Sequence, residues 1–284
     1  MLNARVQGKR SGCLMKTIGR DRLCRLFIIT AVAIVGETSL CEIASLAEDA
    51  PGRPSFPLEV NAKPAVGNIA GIKLSISHHY LLAGVHYKGE EVWTGSQNPR
   101  PPRTFDSEIE DFAMLLRLST LQPITTKQDW ADYQTYGQTA YPRPDNRWLT
   151  MSFFPRTYAA NKGTLQPIVN RNMEDEPKWG PFILQDMDLY GLKHAKSKQQ
   201  ENEKGSSSQT DEFFYDPTTW GTFIRCANYH RKVSPFDPLS SCEHLFIVPE
   251  LQTVVSVHCK KEDLSRWREI EGAIRIIAHS FIVK

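Results

Sequence analysis

Cysteine beside histidine is the first pattern in this chain that could do chemistry. Cys242 precedes His244 by two residues, and His258 abuts Cys259. A thiol next to an imidazole base is a nucleophile suited to acyl transfer. If Cys242–Val248 and Leu251–Cys259 pair as a hairpin, His244 and His258 face each other across it. The competing reading is a packed strand pair held by a disulfide. In an oxidising compartment two of Cys226, Cys242 and Cys259 pair. Cys226 and Cys242 are the better candidates, since each lies on a strand-like segment and a turn-rich stretch joins them. Closing a loop of that length stabilises by about 3 kcal/mol, and Cys259 is then a leftover free thiol. Three reduced core cysteines are the alternative. No CxxC pair exists to suggest a zinc knuckle or a thioredoxin-like site.

Other reactive residue types are less organised. His78, His79 and His86 invite a metal, but adjacent histidines on a strand point to opposite faces, and no HExxH spacing is present. Carboxylates cluster at Asp106 and Glu108 and at Asp186 and Asp188. Such pairs hydrolyse glycosides when spaced across a cleft, yet short acidic runs more commonly mark exposed turns. There is no GxSxG elbow, phosphate-binding glycine loop or dinucleotide fingerprint. No catalytic residue, metal ligand or cofactor is therefore assigned. The aromatics carry a different signal, because Tyr and Trp are enriched at protein interfaces. Trp130, Asp132, Tyr133, Tyr136 and Tyr141 fall in one short segment outside the expected sheet. They are the candidate contact surface for a protein partner.

What must position these residues starts with where the chain folds. Lys16, Arg20, Arg22 and Arg25 precede an apolar run, Leu26–Val35, and Ser45-Leu46-Ala47 offers small residues where a signal peptidase reads. That arrangement predicts a secretory signal over residues 1–47, with Met1 or Met15 as the start. The apolar run is half of the ~20 residues a membrane span needs, so an uncleaved anchor is disfavoured. Thr38–Cys41 resembles a lipobox, making Cys41 a possible lipidation site, although the bulky Leu40 stands where a small residue is usual. The expected destination is outside the cytosol, with membrane attachment only through a lipid on Cys41. Residues 1–47 hold seven of the 34 basic residues and three of the 32 acidic ones. Removing them leaves 27 against 29, a net charge of −2. A nearly neutral body gives no electrostatic reason to expect DNA, RNA or an anionic membrane as partner.

The remaining 237 residues read as α+β: mainly antiparallel sheet with a C-terminal amphipathic helix packed on one face. Residues 48–71, rich in Pro, Ala and Gly, read as an extended lead-in to a domain over 72–284. Ile72–Ile76 alternates like a half-buried strand. Residues 108–117 allow helix or strand, with a strand slightly favoured. Lys127–Gly137 suits a short helix, and Arg147–Phe154 a strand closed by Pro155. Residues 180–184 and 188–192 read as a further strand or hairpin. The polar, low-complexity run 195–211 predicts a surface loop inside a hairpin. From Lys261, apolar residues at Leu264, Trp267, Ile270, Ile274, Ile277 and Phe281 recur every three or four places, forming one helical stripe.

Several segments resemble a known group of proteins. They are Ile72-Lys-Leu-Ser-Ile, Tyr87-Lys-Gly, Arg103-Thr-Phe-Asp-Ser-Glu-Ile, Tyr190-Gly-Leu, Cys242-Glu-His-Leu-Phe, Leu264-Ser-Arg-Trp-Arg-Glu-Ile and Ser280-Phe-Ile. Together they resemble envelope proteins of Gram-negative bacteria similar to immunity partners of type VI secretion effectors, including those that protect against lipase toxins. The resemblance implies a non-enzymatic periplasmic protein that binds a toxin effector. It carries over no functional residue, and Thr38–Cys41 departs from the clear lipobox many such proteins have. An envelope hydrolase with an unrecognised site and a structural envelope component are the alternative functions.

Overall fold

The computed structural model describes residues 63–82, 84–90, 102–136, 147–174, 182–197, 209–229 and 240–284. All of them belong to one unit, Pro54–Lys284. The signal-like segment, Cys41 and Tyr141 lie outside the described residues.

Two strands, β1 (Ala65–Ile69) and β2 (Ile72–Ile76), form a hairpin closed by Ala70 and Gly71, both with positive φ. That two-residue turn matches the twist of the strands it joins. The extended lead-in expected up to residue 71 therefore contains a strand. Its Ala/Gly-rich composition hid a segment whose Ile69 is fully buried and whose Gly67 lies against Ile109 and Ser107.

The remaining strands are β3 (His86–Tyr87), β4 (Ile109–Arg117), β5 (Trp148–Phe154), β6 (Phe182–Leu184), β7 (Lys193–Ser197), β8 (Gln209–Tyr215), β9 (Thr222–Tyr229), β10 (Ser240–Val248) and β11 (Thr253–Cys259). They build one nine-stranded sheet in the order β3-β4-β5-β11-β10-β9-β8-β7-β6, antiparallel throughout. The polar run 195–211 is narrower as a connection than its composition predicts, because residues 195–197 and 209–211 extend β7 and β8. Their polar side chains are tolerated because several find partners, as in the ion pair from Lys196 to Glu212. The hairpin alternative for residues 180–192 holds, since β6 and β7 pair antiparallel and residues 188–192 form the tight reversal between them, with Tyr190 and Gly191 at positive φ.

The helices are α1 (Lys127–Tyr136), α2 (Pro155–Ala160), α3 (Gln166–Glu174) and α4 (Trp267–Ser280), the last preceded by a 3-10 turn, Lys261–Arg266. Pro155 does end β5, and it also opens α2, since a proline at the first helical position loses no hydrogen bond. The stripe expected on the last helix is the buried one: Leu264, Trp267, Ile270, Ile274 and Phe281 all join the main core.

Alternation along each strand divides the sheet into two unlike faces. One bears Phe112, Met114, Met151, Phe153, Val255, Val257, Phe246, Ile224 and Phe214, which pack with α4 and β1–β2 into the main core. The other bears two smaller apolar clusters. α3 seats Val169, together with Leu165 just before the helix, on Phe213, Phe223, Ile247 and Val254. α1 seats Tyr133 on Leu115 and Trp148. Between those clusters the second face is polar.

Candidate interaction surface

Helix α1 holds four of the residues singled out as a contact surface, Trp130, Asp132, Tyr133 and Tyr136, and Asp132 and Tyr133 serve its anchorage. Thr126 caps the helix. Its Oγ1 accepts from the Asp129 N–H at 3.0 Å, and Asp129 Oδ2 accepts from the Thr126 N–H at 3.1 Å. This reciprocal pair satisfies two donors that a helix start leaves open. The Arg117 guanidinium, stacked 4.4 Å from the centre of the Trp148 ring, donates to Asp129 at 2.7 Å and to Asp132 at 3.1 Å. Trp148 Nε1 also donates to Asp132, at 3.0 Å. Partial desolvation raises the Asp129 carboxyl, but hydrogen bonds from Arg117, Thr126 and Thr125 outweigh it and hold its pKa at about 2. Tyr133 turns inward, edge-on to Trp148. Asp132 and Tyr133 thus fasten the helix to the sheet, while Lys127, Gln128, Ala131 and Thr135 form its outer side and Trp130 is half-buried between.

Next to this helix lies a row of polar side chains that sequence reading missed. The registers place Arg225 of β9 opposite Glu243 of β10, Glu243 opposite His258 of β11, and His258 opposite Thr150 of β5. All four share the face away from α4. His258 is exposed and the other three are half-buried. The row is braced from the side, by residues on the same face. Arg225 donates through Nε and Nη2 to Asp211, a fully buried carboxylate, at 3.2 and 2.6 Å, and Ser256 donates to Glu243 at 2.8 Å. Fixing a guanidinium and a carboxylate in this way pre-orients them for a partner, reducing the ordering cost of association. The alternation in β9, β10 and β11 marks these residues as off the core, but only the pairing registers bring them into one row.

The cysteine–histidine pattern resolves structurally. Cys226 and Cys242 are joined by a disulfide across β9 and β10, and Cys259 is a buried free thiol. His244 and His258 do not face each other. The register pairs His244 with Val257 and His258 with Glu243, so the two rings lie on opposite faces. A one-residue offset is sufficient for this, because side chains alternate. His244 is buried under α4, with Nε2 3.4 Å from Glu271 Oε2. Burial raises the Glu271 carboxyl, but His244 and Arg275 hold it below the usual range. Thr222 Oγ1 also donates to it, at 3.1 Å. This group ties the helix to the sheet. A second buried group lies at β7–β8, where His194 stacks on Phe214 and Glu212 pairs with Lys261 at 2.7 Å.

The remaining constellations are dispersed. His78 and His79 lie in a turn after β2, not on a strand. His86 meets Asp111 and the carbonyl of Glu90, both at 3.1 Å. Glu108 pairs with Lys88, and Asp188 with Lys193. Among the described residues no three His, Cys, Asp or Glu side chains converge where a metal ion could sit, and no helix is long and apolar enough to cross a membrane.

No protein-family model matches the chain, and no curated protein is similar to it. Among solved structures, it is similar to an immunity protein of the Stenotrophomonas maltophilia type IV secretion system. Identity is 10%, the TM-score is 0.46, and the match covers 82% of this chain and 100% of that one. That protein serves a type IV system, whereas the sequence segments resemble partners of type VI effectors. The likeness assigns no role to any residue of this chain.

Proposed function

We propose that this chain is a non-enzymatic envelope protein that binds and neutralises an incoming antibacterial effector. The observation that carries the reading is the asymmetry of the nine-stranded sheet. One face is sealed by α4, while the other sets a braced row of charged and polar side chains between two small helical caps. A rigid sheet that presents fixed polar groups suits recognition of another folded protein. The cysteine–histidine arrangement offers no thiol–imidazole pair for acyl transfer, since Cys242 is bridged, and Cys259 and His258, adjacent on β11, point to opposite faces. The basic flank, short apolar run and Ser45-Leu46-Ala47 support export to the periplasm, and Cys41 is the candidate for a lipid anchor. The outer side of α1, with Lys127, Gln128, Ala131 and Thr135, extends the proposed contact surface, and Trp130 stands half-buried at its edge.

A strain lacking the gene is expected to be killed by sister cells that deliver the effector, and the exported protein is expected to capture that effector alone. Normal growth beside such cells, together with no captured effector, contradicts the proposal. Turnover of a lipid, glycan or peptide substrate by the purified protein points instead to an envelope hydrolase. Isolation within a multiprotein envelope complex points to a structural component.

A further inference from the structure

Cys242 stands between two cysteines. On one side the register sets it opposite Cys226 of β9, on the other opposite Cys259 of β11. The three side chains therefore occupy successive places in one row on one face, at the ~4.8 Å step between neighbouring strands. A thiolate displaces a disulfide sulfur by attacking along the S–S axis, from the side away from the leaving sulfur. For the Cys226–Cys242 bond, that side of Cys242 is where Cys259 sits. The two pairs differ in spacing. Cys226 and Cys242 have Cα atoms 4.0 Å apart, the narrow type of antiparallel pair. A residue in a narrow pair on one side is in the wide, hydrogen-bonded pair on the other, where side chains stand farther apart, so a Cys242–Cys259 bridge forms only as β10 and β11 draw together locally.

We propose that Cys259 is a resident second partner for Cys242, and that the protein exchanges internally between a β9–β10 disulfide and a β10–β11 disulfide. Cys259 gives up its proton to solvent, and its sulfur bonds to Cys242 Sγ. The Cys242–Cys226 bond breaks, and its electron pair leaves on the Cys226 sulfur, which takes up a proton. One disulfide and one thiol become one disulfide and one thiol, so no oxidant or reductant is consumed. The exchange moves a covalent link. The β9–β10 bridge staples β6–β9 to the rest of the sheet, whereas the β10–β11 bridge leaves that junction to hydrogen bonds, packing and the connecting chain.

The resting arrangement is guarded. Cys259 is 4% exposed, and burial, with Asp263 nearby, pushes its thiol up to about 12. Asp263 comes from the 3-10 turn Lys261–Arg266, where it accepts from the Lys260 N–H. Opening of that turn is the step that exposes the thiol and lets it ionise.

The test uses the full chain with Cys13, Cys24 and Cys41 each replaced by Ser, so that only these three sulfurs remain. Samples are held at alkaline pH in urea below the unfolding midpoint, without added thiol or oxidant. They are then quenched in acid, unfolded in guanidinium at mildly acidic pH with N-ethylmaleimide so that every free thiol is labelled before it can exchange, and mapped by mass spectrometry. The label is expected on Cys259 at the start and on Cys226 afterwards, with the Cys242 and Cys259 peptides linked. A label that stays on Cys259 throughout overturns the proposal. So does a Cys226–Cys259 link as abundant as Cys242–Cys259, which signifies scrambling of unfolded chains. In the same background, Cys226→Ser exposed to oxidised glutathione is expected to form Cys242–Cys259. Two alkylatable thiols in a variant with native circular dichroism overturn it. If that variant does not fold, the three-cysteine experiment decides alone.

Discussion

Asp129 caps the start of α1 and also receives the guanidinium that spans α1 and β4. Both tasks require its charge. Its carboxyl titrates at about 2 in the folded chain and at about 3.9 when unfolded. A depressed folded value means that this stabilisation is complete above about pH 4 and is lost as pH falls toward 2. The expected outcome is an acid transition in which α1 loosens from the sheet, read by tryptophan fluorescence because Trp130 and Trp148 flank the site. Asp129→Asn should weaken α1 docking at neutral pH and flatten that transition. A wild-type-like acid profile in the variant contradicts this. The aromatic content of the segment was legible in the sequence, but the inward direction of Tyr133 was not. Its burial follows from the position of Trp148 beneath it, a contact between residues 15 positions apart in the sequence.

At the scale of elements, what could be read depended on whether the pattern was local. Helix α4 was readable because its buried residues recur every three or four places and need no knowledge of the rest of the fold. Strands β10 and β11 were readable from β-branched alternation around Pro249 and Glu250. Helices α2 and α3 were missed. α2 has no buried residue, and α3 buries only Val169 among its own residues, so neither carries a full apolar stripe. Ile274, fully buried on α4, makes a direct test of that helix as the lid of the core. Ile274→Ala is expected to cost about 2–5 kcal/mol in chemical denaturation. Trp267→Asp, which places an unpaired charge in the same core, is expected to cost more. The β1–β2 hairpin depends on a close approach. A Cβ on Gly67 lies 2.7 Å from Ile109 Cγ1 and 2.8 Å from the Ser107 carbonyl oxygen. Gly67→Ala is therefore expected to destabilise by about 1–3 kcal/mol, with faster hydrogen exchange across β1 and β2. Unchanged stability shows that β4 yields at no cost.

Across the described part of the molecule, the sheet's two faces have different work. One is an apolar core closed by α4, and the other carries the Arg225–Glu243–His258–Thr150 row between its small helical caps. The fold class was legible because period-two and period-3.6 patterns each survive in isolation. The row was not legible, because it exists only through three strand registers, and a sequence reveals alternation without revealing which strands are neighbours. Near-neutral charge on the body fits specific docking to one partner better than electrostatic adhesion to polyanions. Replacing Glu243 by Lys places like charges at Arg225 and position 243 on the proposed docking face. Fold-preserving loss of partner binding is the expected result.

The most direct measurement is survival of a deletion strain beside sister cells that deliver the effector, with complementation by the wild type or by Glu243→Lys. The account predicts that the deletion strain dies, that the wild type restores survival, and that the variant accumulates folded in the periplasm yet fails to protect. A deletion strain that survives, or a folded variant that protects fully, contradicts the assignment of this face to toxin capture.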